Sequence, residues 1–346
     1  MPALTPSSLA SIPLCFASCS IGSPSDPLPD RLSHLANAGF THIELSFPDL
    51  QAFASSVCSR EVGEEDWDAL CEAGERVKEL CKERGLQVFI LQPFGQFEGW
   101  KEGTKEREDV WRRVDGWIRI MKAVATDRLQ VGSSDVSDPN CDLSRSSVVK
   151  DLRLLCDKLK EADPSFKLAY ENWCWSTHAS KSWEVWEIVK EVDRDNIGVN
   201  LDTFQHAGAE WADPTQVNGL TASPDREAAF QRSLSLLRQI PPEKIAFLQI
   251  SDAYKVCPPL SPEVKDGLRP RGRWSHDYRP FPFSGGYLPV VEVTQAVLET
   301  GFRGVLSLEV FDGGQDGKGK EGADPGEFAK EGMRSLRELL EECAEE

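Results

Sequence analysis

The stretch IGVNLDTF, residues 197–204, alternates apolar side chains with small or polar ones. This period of two is typical of a β-strand whose two faces meet different surroundings. Ile197, Val199 and Leu201 would lie on the outer face, and Asp202 on the inner face near the carboxyl end of the strand. The stretch therefore predicts a strand that belongs to a covered sheet and directs a carboxylate inward.

Strand-like and helix-like patterns alternate along the whole sequence. Eight segments have the strand pattern: Ile12–Ser20, His42–Phe47, Gln87–Gln92, Arg128–Ser133, Lys167–Trp173, Ile197–Phe204, Ile245–Asp252 and Val305–Phe311. The helical pattern occurs over Pro29–Ala38, Glu64–Arg84, Lys105–Ala125, Ser146–Glu161, Lys181–Val192, Asp225–Arg238, Val290–Thr300 and Asp324–Ala344. Eight strands, each followed by a helix, are the content of a (β/α)₈ TIM barrel. The sequence therefore predicts the α/β fold class and this barrel.

A doubly wound sheet is the competing fold, because it contains the same alternation of strands and helices. Such a fold would carry a glycine-rich phosphate-binding turn after its first strand, and Ser20–Ser23 does not supply one. We therefore expect one TIM-barrel domain over residues 1–346. Two connections, Gln205–Pro224 after strand six and Ala253–Leu288 after strand seven, are unusually long and are predicted to serve as binding loops.

The composition is that of an acidic soluble protein, with a net charge of −18 over 346 residues and an isoelectric point near 4.8. Nucleic acids and anionic membranes are bound by basic patches, so we expect neither as a partner. No run of sequence approaches the roughly 18 apolar residues of a membrane span. Met1–Ser20 lacks the basic residues of a signal peptide, and the ten cysteines form no CxxC motif. These features predict a cytoplasmic protein with reduced thiols.

Four strands in succession place one polar side chain inward near their carboxyl ends: Glu171, Asp202, Gln249 and Glu309. These ends meet at one mouth of a TIM barrel, where the active site lies. Three converging carboxylates would repel one another strongly without a cation. Together with one amide they offer only oxygen ligands, which favours Mg²⁺ or Mn²⁺, with Co²⁺ as a further option. We therefore predict that these four residues bind a divalent metal ion.

Three residues are candidates for catalytic proton transfer. Glu44 lies on the inward face of the second strand, where it could act as a general base, bind substrate hydroxyls or pair with a buried cation. His178 and His206 follow strands five and six at the predicted metal site, and a histidine there could transfer a proton near neutral pH. A loop histidine bonded to the backbone is the alternative for both, so the base remains open among the three.

The connection after strand seven contains a basic cluster that stands out in so acidic a chain. It comprises Arg271, Arg273, His276 and Arg279. Arginine binds carboxylates through paired hydrogen bonds, so Arg273 and Arg279 are predicted to hold a substrate carboxylate, with a solvated loop face as the alternative. Trp175 and Gln92 are also predicted to contact substrate. The expected partner is a small carboxylate or polyol, and a homo-oligomer remains open.

Several segments resemble the xylose-isomerase-like TIM-barrel superfamily and, within it, the fungal 3-dehydroshikimate dehydratases. The similar segments are AYENWCWSTH at 169–178, NLDTF at 200–204, LQISDA at 248–253, SLEVF at 307–311, Trp183–Trp186, Val192–Arg194, Arg279–Pro282 and Gly286–Pro289. The resemblance covers about residues 12–340 and is strongest after residue 165. It implies a TIM barrel whose metal ligands are the same four inward residues.

The resemblance also implies a reaction, the loss of water from 3-dehydroshikimate to give protocatechuate in quinate and shikimate catabolism. In such a reaction a cation polarises the ketone, a base removes the adjacent proton, and an arginine holds the substrate carboxylate. One position departs from the superfamily pattern. Many members carry histidine three residues after the aspartate of strand six, whereas this chain has Gln205 there and His206 next to it.

Other activities share the same scaffold. A metal-dependent isomerase or epimerase of sugars or keto acids, acting through an enediolate, is the main alternative. An abasic-site endonuclease would need a zinc cluster with several histidines and basic loops, which a chain with five histidines and a charge of −18 does not favour. A binding barrel without catalysis is a further alternative, which the complete set of predicted ligands argues against.

Overall fold

The structure, a computed structural model, describes residues 4–23, 26–319 and 324–344. Eight parallel strands form a closed barrel in chain order. They are β1 (Leu14–Ala17), β2 (His42–Ser46), β3 (Gln87–Phe94), β4 (Arg128–Gly132), β5 (Lys167–Glu171), β6 (Ile197–Asp202), β7 (Ile245–Ile250) and β9 (Leu306–Leu308). The barrel closes because β9 pairs with both β7 and β1. The predicted (β/α)₈ TIM barrel is confirmed.

Twelve α-helices lie in the described residues, and most of them surround the barrel. They are α1 (Pro6–Leu9), α2 (Leu28–Ala38), α3 (Phe47–Cys58), α4 (Trp67–Glu83), α5 (Lys105–Val124), α6 (Arg145–Ala162), α7 (Ser182–Val192), α8 (Thr203–Glu210), α9 (Arg226–Leu237), α10 (Pro270–Asp277), α11 (Val290–Leu298) and α12 (Pro325–Glu342). All eight predicted helices are present, within a few residues at each end. Four helices were not predicted, namely α1, α3, α8 and α10.

The two long connections contain regular structure that the sequence did not reveal. Helix α8 begins directly at the end of β6, and α10 lies in the connection after β7. After α10 the chain forms β8 (Tyr278–Arg279), which pairs antiparallel with β10 (Phe311–Asp312) beyond the end of β9. This β8–β10 ribbon ties the connection after β7 to the one after β9. It places Arg279 opposite Phe311 in register.

The barrel wall separates two layers of core. Ile197, Val199 and Leu201 belong to the large core between the strands and the helices, as their alternation predicted. The lower part of the barrel interior is filled by a separate apolar cluster, which we call the barrel floor: Cys15, Phe89, Ile90, Ala169, Phe247 and Val305. Because side chains alternate along each strand, the residues two positions further on point into the barrel above this floor.

Two expectations drawn from the composition, on the cysteines and on membrane spans, can be compared with the structure. All ten cysteines lie in the described residues and are free thiols. Across residues 4–23, 26–319 and 324–344, every helix is too short or too polar to cross a bilayer.

Candidate active site

The four predicted ligands converge above the barrel floor. Glu171 and Asp202 are the last residues of β5 and β6, Gln249 is the penultimate residue of β7, and Glu309 directly follows β9. Asp202 pairs in register with Gln249. All four side chains are buried, with Asp202 and Gln249 fully inaccessible to solvent. The structure therefore brings these residues to one mouth of the barrel, as the alternation of each strand requires.

Arg279 lies among these carboxylates. Its Nη2 donates to Asp202 Oδ2 at 2.6 Å, and its Nη1 donates to Glu309 Oε2 at 3.0 Å. Its Nε donates to Ser251 Oγ at 2.9 Å, and its Nη1 also reaches Ser275 Oγ at 3.3 Å. The guanidinium is 1 % exposed. The predicted substrate-binding arginine thus lies in the site, where it neutralises part of the charge of two predicted metal ligands.

Side-chain amides link the buried carboxylates to one another by hydrogen bonds. Gln249 Nε2 donates to Glu44 Oε2 at 2.9 Å, and Asn200 Nδ2 donates to Gln249 Oε1 at 2.7 Å. On the other side, Gln92 Nε2 donates to Glu309 Oε1 at 3.3 Å. Glu44 and Gln92, both predicted as site residues, therefore lie in the same buried network as the predicted ligands.

The electrostatics of the site are dominated by burial. Burial raises the pKa of Glu171 and of Glu44 well above the usual range, and the nearby charge of Glu309 raises both further. Burial also raises the pKa of Asp202 and of Glu309, although Arg279 opposes the shift in both. Arg279 hydrogen-bonds to two of these four buried carboxylates, Asp202 and Glu309. The mouth of the barrel would therefore gain electrostatically from a further positive charge.

The chemistry of these donors fits a divalent cation. Glu171 Oε1 and Glu44 Oε1 are buried oxygens without a hydrogen-bond partner, and such atoms are costly unless something binds them. Within the described ranges, however, no three His, Cys, Asp or Glu side chains have a spacing that could hold a metal ion. Arg279 bonds to two of the four predicted ligands, so binding a cation requires the guanidinium to share or release Asp202 and Glu309.

The two candidate histidines lie on the outer side of the barrel wall. His178 Nε2 is 3.0 Å from the hydroxyl of Tyr170, which points outward next to inward Glu171, and 3.3 Å from Glu98 Oε1. His206 lies in α8, and its Nδ1 is 3.0 Å from the hydroxyl of Ser182 in the helix layer. The expectation that these histidines face the metal site is therefore corrected, because the hydrogen bonds of both rings point away from it.

Burial lowers the pKa of His206 to about 3, so the ring is neutral at physiological pH. Its other contacts are the ring of Phe230, with centroids 5.8 Å apart, and the hydroxyl of Ser233. These surroundings are those of a histidine packed between helices. Of the three candidate bases, Glu44 is the one that lies in the carboxylate network.

Two predicted substrate-binding residues lie further from the carboxylates. Arg273 Nη2 donates to the backbone carbonyls of Ser261 at 2.6 Å and Glu263 at 2.8 Å, so this arginine braces the connection after β7. The basic cluster predicted in that connection is thus dispersed. Trp175 stacks on Trp173, with ring centroids 5.3 Å apart, and lies at the edge of the site.

Two residues that hydrogen-bond to a predicted ligand were not predicted as site residues from the sequence. Gln130 Nε2 in β4 donates to Glu171 Oε2 at 2.6 Å, and the indole Nε1 of Trp173 donates to the same oxygen at 2.9 Å. Alternation along β4 places Gln130 on the inner face, and Trp173 lies two residues beyond Glu171, just after the end of β5. The missing signal was the pairing of neighbouring strands, which sets Gly132 opposite Glu171.

A closed parallel barrel with acidic side chains at the carboxyl ends of its strands defines a TIM-barrel protein with a site in the usual position for that fold. The family model described as "Xylose isomerase-like TIM barrel" matches residues 32–339. The chain belongs to the xylose isomerase-like TIM-barrel family.

Two curated relatives carry the same name. The 3-dehydroshikimate dehydratase of Neurospora crassa is 32% identical over 357 aligned positions, which cover 99% of this chain and 95% of that protein. The 3-dehydroshikimate dehydratase of Pseudomonas putida is 28% identical, over 92% of this chain and 40% of that protein. This chain therefore spans nearly the whole fungal relative and less than half of the bacterial one.

Solved structures share the fold. A xylose isomerase-like TIM barrel/4-hydroxyphenylpyruvate dioxygenase fusion protein has a TM-score of 0.69 and 25% identity, over 94% of this chain and 42% of that one. The IolI protein, solved with a bound zinc atom, has a TM-score of 0.63 and 16% identity, over 95% of this chain and 96% of that one. At 16% identity, the second comparison shows the fold alone.

Proposed function

We propose that the protein is a divalent-cation-dependent 3-dehydroshikimate dehydratase, which converts 3-dehydroshikimate into protocatechuate and water in the catabolism of quinate and shikimate. The observation that carries this proposal is the convergence of Glu171, Asp202, Gln249 and Glu309 in one buried mouth. The name of the full-length relative from Neurospora crassa supports the substrate.

The proposed reaction removes a proton from the carbon next to a ketone and then expels a hydroxyl group as water. A cation held by the four oxygen ligands would supply polarisation of the ketone and stabilise the negative charge that develops there. Mg²⁺ and Mn²⁺ match the ligand set best, because it contains carboxylate and amide oxygens without thiolate or imidazole. The buried mouth also excludes bulk water, which strengthens every electrostatic interaction inside it.

Glu44 is the proposed base. One of its oxygens accepts from Gln249, which fixes the orientation of the carboxylate, and its Oε1 remains without a hydrogen-bond partner. Burial raises the pKa of Glu44, so the proposal requires the positive charge of the bound cation to favour its ionised form, which can then accept a proton from the substrate. The two histidines are left with no part in this step, because their rings are engaged outside the barrel wall.

Arg279 is proposed to bind the substrate carboxylate, in a modified form of the sequence-based prediction. A guanidinium has five N–H donors, and four hydrogen bonds to side chains already occupy it. One N–H donor is left, so a paired hydrogen bond with a substrate carboxylate requires Arg279 to release at least one of its present partners. Substrate binding and the charge balance of the carboxylates are thereby coupled through one residue.

The test is an absorbance assay with 3-dehydroshikimate, first with EDTA-treated protein and then after addition of Mg²⁺ or Mn²⁺. We expect the ultraviolet spectrum of a catechol to appear only with added cation. Cation binding without product would contradict the dehydratase and favour an isomerase or epimerase, which a screen of ketoses and keto acids would then identify. Equal activity with and without EDTA would contradict the cation dependence.

A further inference from the structure

Glu171 is held by one of its two oxygens. Oε2 accepts hydrogen bonds from the Trp173 indole at 2.9 Å and from Gln130 at 2.6 Å, whereas buried Oε1 has no partner. Two donors on one oxygen fix the rotation of the carboxylate about its terminal bond. The other oxygen is thereby the one left available to a ligand.

The indole of Trp173 lies where two glycines leave space for it. A Cβ atom on Gly132, the last residue of β4, would overlap the five-membered and six-membered rings, and a Cβ on Gly95 would lie 3.2 Å from Cη2. Neither glycine has a positive φ, so the backbone at both positions suits any residue. What these positions require is the absence of a side chain, because the indole occupies that space.

The Trp173 backbone is also fixed. Its N–H donates to Ser133 Oγ at 2.9 Å, and its carbonyl accepts from the Ser176 N–H at 2.7 Å. The ring stacks on Trp175 at an interplanar angle of 20°. Backbone bonds, a stacked partner and space at two glycines thus determine the position of one N–H group.

We propose that Trp173 is a positioning residue whose indole N–H holds Glu171 by Oε2 and so leaves Oε1 available to bind a cation, and that Gly132 is required because it admits the indole. This inference rests on the proposed cation site, and it adds a role for two residues that bind neither cation nor substrate. Hydrogen-bond partners of metal-ligating groups typically contribute about 10–100-fold to metal affinity. The proposal therefore predicts an effect on cation affinity at unchanged fold.

The experiment measures Mn²⁺ binding by isothermal titration calorimetry on the full chain. Trp173→Phe keeps an aromatic ring and removes the N–H, so we expect Mn²⁺ to bind about tenfold more weakly. Gly132→Ala displaces the indole and should weaken binding to a similar extent. Far-ultraviolet circular dichroism and thermal unfolding establish that each variant is folded, and the second variant provides the test if the first does not fold.

Gly116→Ala is the matched control. Gly116 lies in α5, and a Cβ there would overlap the ring of Trp67 in α4, so the steric conflict would arise between two helices and not at the carboxylates. It reproduces the steric effect of Gly132→Ala, so we expect reduced stability and unchanged Mn²⁺ affinity. Unchanged affinity in folded Trp173→Phe, or an equal loss in Gly116→Ala, would overturn the positioning role.

The same titration separates this inference from the proposed function. Wild-type protein that binds Mn²⁺ but forms no protocatechuate refutes the dehydratase and leaves the role of Trp173 testable. Wild-type protein that binds no Mn²⁺ overturns the positioning role itself.

Discussion

The two ends of the barrel interior differ in composition: the floor is apolar and the mouth is acidic. The barrel floor consists of apolar side chains, with Phe89 and Phe247 in edge-to-face contact at 5.4 Å. The mouth holds Glu171, which lies two positions beyond floor residue Ala169 on β5, and the other buried carboxylates. Ala169 and Glu171 of β5 show the change within three residues. The floor has the composition that stabilises a fold, and the mouth has one that opposes folding unless charge is compensated.

The strongest test of this contrast is Glu171→Gln at the mouth. The amide keeps the shape of the side chain but removes a charge that the proposed cation needs. We expect turnover of 3-dehydroshikimate to fall at least about a thousandfold, equivalent to about 4 kcal/mol of barrier. Because burial raises the pKa of Glu171, the charged form disfavours folding, and the free energy of unfolding at neutral pH should not decrease.

Glu98→Gln is the control for that prediction. Glu98 is also buried, but it bonds to Tyr170 on the outer face of β5. Turnover in this variant should stay close to that of wild type in an assay at saturating substrate. A comparable loss of turnover in both variants would show that the mouth is not the reacting site.

The reverse result is expected at the floor. Phe247→Ala leaves a cavity under the site, and we expect the free energy of unfolding to fall by about 3 kcal/mol in urea denaturation. Turnover per folded molecule should fall far less than in Glu171→Gln. An unchanged urea midpoint would mean that the floor does not support the barrel as its burial indicates.

His206→Gln tests whether His206 belongs to the outer helix layer and not to the mouth. The ring stays neutral in the folded protein because burial lowers its pKa to about 3, whereas in the unfolded chain it titrates near 6.5. The unfolded state therefore binds more protons as the pH falls below 6.5, and the stability of the wild type falls with it. Without this ring, the loss of stability between pH 7.5 and pH 5 should shrink by about 2 kcal/mol.

Turnover of His206→Gln at pH 7.5 should remain close to that of wild type. A stability profile parallel to that of wild type would contradict the buried neutral histidine. Loss of turnover in a folded variant would restore His206 as a candidate base.

The sequence predicted the barrel well because each strand has a clear alternation that the core enforces. A strand with Val199 and Leu201 packed against helices has no choice but to turn Asp202 inward. The same rule places Glu44 inward from β2. These predictions needed only the period of two and the fact that strands end at a common mouth.

The histidines were misplaced because the period changes where the strand ends. Helix α8 begins at Thr203, so the direction of His206 follows the helical period of 3.6 and not the strand period. That helix is nearly buried on several sides, which hides its amphipathic pattern. His178 follows an irregular turn, for which no periodicity gives a direction.

The position of Arg279 could not be derived from sequence either. Its contacts with Asp202 and Glu309 depend on the β8–β10 ribbon, whose strands are two residues each and leave no detectable pattern. The pairing joins residues about thirty positions apart, and only the folded barrel brings them together. The missing information was therefore a long-range contact and not a local preference.

The β8–β10 ribbon constrains how the sequence of such a barrel can change during evolution. Arg279 is held in register by Phe311, so an insertion in either connection would shift the guanidinium relative to Glu309. New substrate ranges would then arise through joint replacement of both loops and rarely through one alone. A chimaera made with a related barrel should accordingly exchange the segments around Arg279 and Phe311 together.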